Sequence, residues 1–394
     1  MKSKLGWLIG LLVIVRLLVM AFAPVFEPSE SRYAAISANM ARTGDYVVPH
    51  FTYKGVYQSF DGKPPLVFQA GGLFCELFGT ENPISLQFAV RLFPFISALL
   101  LLAILYYATK SKIAVWVLAT SCVFYVSAGL SMTDMSLATC VAGALLLYGM
   151  ERPLNYLHRL AIGALLGAGM IIKGPVALAM FGLPVLVDCA LNHNWLKLFD
   201  WRWLIAVFPF VAIALPWFIL VEARNPGSVL YFFYNENFLR FVSHDYGDKY
   251  GAGREAFRGV SVLWALVVAL PWPLMLLLPK NRPSGFNRAN LKTFPFIAMA
   301  TIIGFWALTS RVLLYYLIPI APLFAAWFAS VFEESKIRRF LLPAAIISMA
   351  AAVIMFAGGA AFSDKFRGAK TPFTKRGSSY AYEFYHGTPP ELLK

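Results

Sequence analysis

The chain has 394 residues, 59% of them hydrophobic, 16% aromatic and only 14% charged. Soluble domains carry roughly 25% charged residues, so an ordinary water-soluble globular protein is excluded. The net charge of +14, from 34 basic and 20 acidic residues, raises nucleic-acid binding, but the placement of the bases argues for membrane topology instead.

In chain order, apolar runs fall near 5–24, 86–109, 113–130, 134–150, 160–172, 175–191, 203–221, 259–279, 293–309, 312–332 and 340–362. A hydrocarbon core is crossed by about 20 helical residues. Backbone in lipid must satisfy its own hydrogen bonds, so these runs are expected to be helices. The first run lacks a small-x-small cleavage site and reads as a span, not a signal peptide. Bases collect in alternate loops: Lys2 and Lys4, Lys110 and Lys112, Arg152 and Arg159, Lys197 and Arg202, Lys280 to Lys292, and Lys336 to Arg339. Short cytoplasmic loops are enriched in Lys and Arg, which puts the N-terminus inside and the tail outside. The expected fold is an all-α polytopic membrane protein with about 11 transmembrane helices. Residues 1–362 form its membrane domain, and 363–394 form a short outer tail that folds weakly or stays loose.

Two outer loops are long, at about 25–85 and 222–258. Within the first, residues 65–79 are apolar but too short to span, which predicts an interfacial helix. Arg16, near the middle of the first run, is a costly charge that must face the bundle and find a partner. Cys75, Cys122, Cys140 and Cys189 show no metal or redox spacing and read as packing residues.

The first loop places Glu27, Glu30, Arg32, Asp61 and Lys63 beside apolar spans. A carboxylate there can take a proton from an attacking hydroxyl, and Arg32 with Lys63 can hold a phosphate. Pro64-Pro65 stiffens the segment that presents Lys63. The plainer alternative is a solvated loop with ordinary helix capping from Ser29. Asp134 begins a span and reads as a helix cap or a catalyst. Lys173 reads as a snorkelling lysine or a phosphate ligand. His244, in the second loop, is a structural histidine or a metal ligand.

Several segments together resemble a known family. Pro-Ser-Glu-Ser-Arg-Tyr-Ala-Ala-Ile (28–36), Gly-Asp-Tyr-Val-Val-Pro-His (44–50), Lys-Pro-Pro-Leu (63–66), Thr-Asp-Met-Ser-Leu (133–137) and Lys-Gly-Pro-Val-Ala-Leu (173–178) are similar to the aminoarabinose transferase branch of the lipid-linked sugar transferases. Protein mannosyltransferases are more distant relatives of that branch. Pro216-Trp217, Arg-Asn-Pro-Gly (224–227), Phe-Leu-Arg-Phe (238–241), and Ser310-Arg311 with Tyr315-Tyr316 extend the resemblance over about residues 5–330.

The resemblance implies the C-type membrane glycosyltransferase fold in a bacterial inner membrane, with the site on the periplasmic face. It implies a sugar donor on undecaprenyl phosphate, aminoarabinose or another pentose or hexose, and a lipid A or related glycan acceptor. Lys63, Arg32, Tyr315 and Lys173 would hold the carrier phosphate. Glu30, or else Glu27 or Asp134, would be the base. The family pattern has Asp-Glu where Ser29-Glu30 stands, and Glu where Gly62 stands. No metal site is committed to on this reading. His244 and Asp61 are the candidate ligands if a divalent metal takes part. The chain is also short after residue 362, so the acceptor is open. Two other classes stay in view: a lipid or solute transporter, and a weakened relative that only binds a polyprenyl lipid.

Overall fold

The computed structural model describes residues 2–26, 28–150, 154–243, 249–250, 255–277, 293–367, 373–374, 377–378 and 380–387. Each of the eleven expected spans contains a helix. They are α1 (Lys2–Phe22), α4 (Pro83–Thr109), α5 (Lys112–Ala119) with α6 (Cys122–Ser127), α7 (Thr133–Tyr148), α8 (Tyr156–Lys173), α9 (Val176–Leu191), α10 (Leu204–Arg224), α13 (Val260–Ala269), α14 (Phe294–Ala307), α15 (Ile320–Val331) and α16 (Glu334–Arg367). Among the described residues four stretches, Pro83–Thr109, Tyr156–Lys173, Trp201–Arg224 and Glu334–Met355, are long and apolar enough to cross a membrane. The chain is a multi-pass, largely helical membrane protein.

The first outer loop folds as α2 (Ser29–Thr43), a hairpin of β1 (His50–Tyr53) and β2 (Val56–Ser59), and α3 (Leu66–Phe78). α3 is the short apolar helix expected there. The second outer loop carries α11 (Ser228–Leu230), a π-helix over Tyr231–Leu239 and α12 (Arg240–Val242). In the tail, β3 (Phe373–Thr374) pairs with β4 (Gly377–Ser378), and α17 (Tyr380–His386) follows.

α7 is the axis of the bundle, with every residue from Thr133 to Leu147 buried. Its Ala, Gly, Ser and Thr side chains let neighbouring helices approach, the usual basis of packing in lipid. α8 meets α10 in the same way. A Cβ on Gly163 would lie 2.0 Å from the Ala206 carbonyl oxygen, and one on Gly167 would lie 2.9 Å from that of Phe210. Arg16 is buried as expected. Its Nη2 donates to the Val126 carbonyl at 2.5 Å, and its guanidinium lies over Tyr125 at 5.9 Å.

Two details differ from the sequence reading. The run at 113–130 is broken into α5 and α6, where Thr120 and Ser121 hydroxyls bond back to Trp116 and Val117 carbonyls. The Cys122 amide there donates to Leu270 instead of to its own helix. Hydropathy does not register such a break, because buried Thr and Ser remain compatible with an apolar run. The tail is not loose over Tyr380–His386. That helix packs on α2, and Ala381 and Phe384 join Ala34, Ala35 and Ala38 in one apolar cluster.

Candidate functional site

The first outer loop is held rigid before it reaches the site. α2 ends at Gly44, whose φ of 70° suits a glycine, and its N–H bonds Met40. Asp45 accepts from the Val47 and Val48 amides and takes a bidentate pair from Arg224 at 3.0 and 3.1 Å. That pair ties the first outer loop to the end of α10. The hairpin turns at Lys54-Gly55, where φ is 49° and 82°, as a tight two-residue turn requires. Beyond it Asp61 accepts from Asn225 at 2.9 Å, Ser228 at 3.1 Å and Lys249 at 2.8 Å. These bonds fix the second outer loop to the first, one residue pair ahead of Lys63.

Lys63 opens into a cavity of about 320 Å³, lined also by Lys173, Glu236, Arg240, Arg311 and Tyr316. Lys173 forms an ion pair with Asp134, and both are buried. Its ammonium lies 3.7 Å from the centre of the Tyr316 ring. Arg240 pairs with Glu236 at 2.8 Å, one turn back. Tyr231 donates to the same carboxylate at 3.3 Å. Arg311 binds Glu255 at 3.0 Å and the Arg240 carbonyl at 3.4 Å. Glu236, Asn237 and Arg240 reach the cavity from a π-helix and the residue after it. Such irregular turns recur at functional sites because they re-aim side chains that a regular helix would stack.

Four cations therefore share this cavity with a single lining carboxylate, Glu236, while Asp134 stands behind Lys173. Burial, then the neighbouring charges of Arg240 and Lys173, push the Lys63 amine down to about 7, against the pull of Glu236 and Asp134. Lys173, Arg240 and Arg311 each pair with a carboxylate, and Lys63 adds a further basic group to a lining suited to an anion.

The other residues expected from the sequence fall as follows. Arg32 lies against the rings of Tyr33 and Phe60 and feels the charge of Glu236. Tyr315 packs on Tyr316, ring centres 5.3 Å apart, and faces a second, apolar cavity of about 420 Å³ with Ser29. Arg91 donates to both Glu30 oxygens at 2.8 and 3.0 Å, and the Phe26 and Ser131 amides donate at 2.9 and 3.0 Å. The structure places the Glu30 carboxylate in a buried pair with Arg91, beside the second cavity that Ser29 and Tyr315 also line, and not in the cationic one. Glu27 and His244 lie outside the described residues.

A metal, implied only by the resemblance, is not supported by the donors among the described residues. The Asp61 carboxylate is already occupied by an ammonium, an amide and a hydroxyl. Gly62 supplies no ligand, and a Cβ there would lie 3.0 Å from the Phe60 ring. Among the described residues no group of three or more His, Cys, Asp or Glu is placed to hold an ion.

Sequence reasoning gave no site role to Arg240, Glu236, Arg311 or Arg91. The Phe-Leu-Arg-Phe and Ser-Arg segments contained two of them. Nothing local separated those arginines from the other bases of the outer loops.

No family model matches the chain. Two curated relatives, both named undecaprenyl phosphate-aminoarabinose arabinosyl transferases, are 27% identical. The one from Aeromonas hydrophila aligns over 80% of this chain, and the one from Pectobacterium atrosepticum over 86%. The solved structure of ArnT from Cupriavidus metallidurans, bound to undecaprenyl phosphate, superposes with a TM-score of 0.75 over 98% of this chain and 84% of that one, at 19% identity. The chain is similar, in sequence and in fold, to the aminoarabinose transferases. An archaeal oligosaccharyltransferase from Archaeoglobus fulgidus follows at a TM-score of 0.51, covering 98% of this chain and 60% of that one. The chain spans 58% and 62% of the length of the two curated relatives.

Proposed function

We propose that the protein transfers a sugar from undecaprenyl phosphate to lipid A or a related glycan, with the site on the periplasmic face of a bacterial inner membrane and the N-terminus in the cytoplasm. The observation that carries this reading is the convergence of Lys63, Lys173 and Arg240 on one cavity at the ends of apolar helices. A lipid phosphate is the anion that reaches such a place from the bilayer. The curated relatives, named for transfer from an undecaprenyl phosphate donor, support the same chemistry.

In this reading Lys63 and Arg240 grip the phosphate, and Lys173 and Arg32 add positive potential near it. An acceptor hydroxyl attacks the anomeric carbon as the bond to the phosphate oxygen breaks, with inversion and oxocarbenium character. Negative charge grows on the departing polyprenyl phosphate, where preorganised cations contribute most. The proton of the hydroxyl passes to a carboxylate. With Glu30 committed to Arg91, Asp134 is the base we assign. It stands directly behind Lys173, with which it pairs, at the wall of the cavity. Tyr315 lines the apolar side of the site. No step is assigned to a metal.

Purified protein incubated with an undecaprenyl-phosphate-linked sugar and lipid A is expected to yield glycosylated lipid A and free undecaprenyl phosphate. Lys63→Ala abolishes the product while the protein remains folded. Donor movement across a vesicle without transfer would point to a transporter, and binding without turnover to a weakened relative. Either outcome would overturn the proposal.

A further inference from the structure

The C-terminal helix α17 lies far in sequence from every residue assigned so far, yet it packs on α2 and reaches Arg32. Its Glu383 is 2% exposed. The carboxylate accepts from Asn39 Nδ2 at 2.7 Å, from the Thr52 amide at 3.0 and 2.9 Å, and from Thr52 Oγ1 at 3.1 Å. Asn39 belongs to α2, the helix that carries Arg32. Thr52 belongs to β1, the strand that leads through the hairpin to Lys63. One buried carboxylate therefore joins the two elements that present the first-loop cations. Arg42 reinforces the join by donating to the carbonyls of Glu383 and Phe384 at 3.3 and 2.9 Å, and Tyr385 donates to Gln87 at 2.8 Å.

At the other end of α17, Tyr380 meets Arg32 directly. The Arg32 guanidinium carbon lies 5.3 Å from the Tyr33 ring, 5.6 Å from Phe60 and 5.8 Å from Tyr380. Phe51 backs the last ring at 5.8 Å. The Arg32 Nε is buried with no hydrogen-bond partner. A desolvated guanidinium held by ring faces keeps its orientation while its Nε hydrogen bond stays unspent on the protein. That N–H is the one left to give to an incoming anion.

We propose that α17 is part of the anion-binding site. Tyr380 is the third wall of an aromatic cage that aims Arg32, and Glu383 is the positioning residue that latches this wall to α2 and β1. The inference rests on the phosphate reading above and extends it to a segment to which that reading gave no role. A Leu at position 380 keeps apolar bulk and removes the ring face. A Phe keeps the face and removes only the hydroxyl.

The test measures binding of undecaprenyl phosphate to the full-length protein in detergent, together with its melting temperature. Loss of one cage ring should weaken binding roughly two- to thirty-fold. Tyr380→Leu is expected to lose affinity in that range with little change in melting, and Tyr380→Phe to recover most of it. Glu383→Ala is expected to weaken binding as well, but not further when Arg32→Ala is already present, since the latch acts through Arg32. If Lys63→Ala weakens binding and Tyr380→Leu does not, the cage falls and the phosphate site stands. If Glu383→Ala adds its full effect on top of Arg32→Ala, the latch does not act through Arg32 and is overturned. If Lys63→Ala binds as well as the unaltered protein, the phosphate reading fails and takes this inference with it.

Discussion

Arg91 grips both carboxylate oxygens of Glu30, at 2.8 and 3.0 Å, with neither side chain exposed to solvent. It also donates to the Met20, Ala23 and Pro24 carbonyls at 2.9, 2.5 and 3.0 Å. The pair thus closes the end of α1 over the junction of α2 and α4. Removing one partner of a buried pair leaves the other charged and unpaired, at a cost of about 3–5 kcal/mol. Arg91→Ala should lower the melting temperature sharply. Glu30→Gln should lower stability in proportion to any lost activity, so that turnover per folded molecule stays near normal. A fall in that specific turnover at unchanged stability would return the base role to Glu30.

Asp134 and Lys173 form the pair in which we place the proton acceptor. Asp134→Asn keeps the shape and removes the charge. Transfer should drop by roughly 10²–10⁴-fold, the usual contribution of a positioned base, while undecaprenyl phosphate still binds. Single-turnover rates beside equilibrium binding distinguish this outcome from simple loss of the donor site.

Lys63 should make donor binding pH-dependent. Its amine is held down to about 7 by burial and by Arg240, so the free site holds the charge below that pH and loses it above. An anion favours the charged form. Affinity for undecaprenyl phosphate should therefore be highest near neutral pH and fall as pH rises from 7 to 9. Lys63→Arg stays charged throughout this range and should flatten the profile. Titrations at three pH values on both proteins are enough to check it.

The contact between α8 and α10 should be intolerant of side chains. Gly163→Ala drives a Cβ onto the Ala206 carbonyl oxygen, and overpacking of this kind costs about 1–3 kcal/mol or more. Gly304 has nothing within 4 Å of its Cβ direction, so Gly304→Ala should be neutral or slightly stabilising, since Ala is the better helix former. Thermal melting of the two variants should differ in sign or by several degrees.

Much of this architecture was legible in the sequence. The spacing of apolar runs marked all eleven helical spans, because a lipid-facing backbone leaves few alternatives to a helix. Of the charged residues singled out in the first outer loop, Lys63 lines the cavity, together with Lys173. What could not be read was pairing across distance. Arg91 sits inside an apolar run and its partner is 61 positions away, so Glu30 looked available for chemistry when it was already engaged. Glu236 and Arg240 were also hidden, because their shared aim depends on a π-helix over Tyr231–Leu239 that no periodicity announces. The hairpin of four-residue strands was too short to show an alternation.

Lys63, Lys173, Arg240 and Arg311 come from four widely separated stretches of chain, each giving one positive group to the same cavity. No contiguous fragment holds that potential, and it exists only once both outer loops have docked on the spans. On the proposed reading, a nascent or half-inserted chain would hold no lipid phosphate, and affinity for it would mark completed assembly.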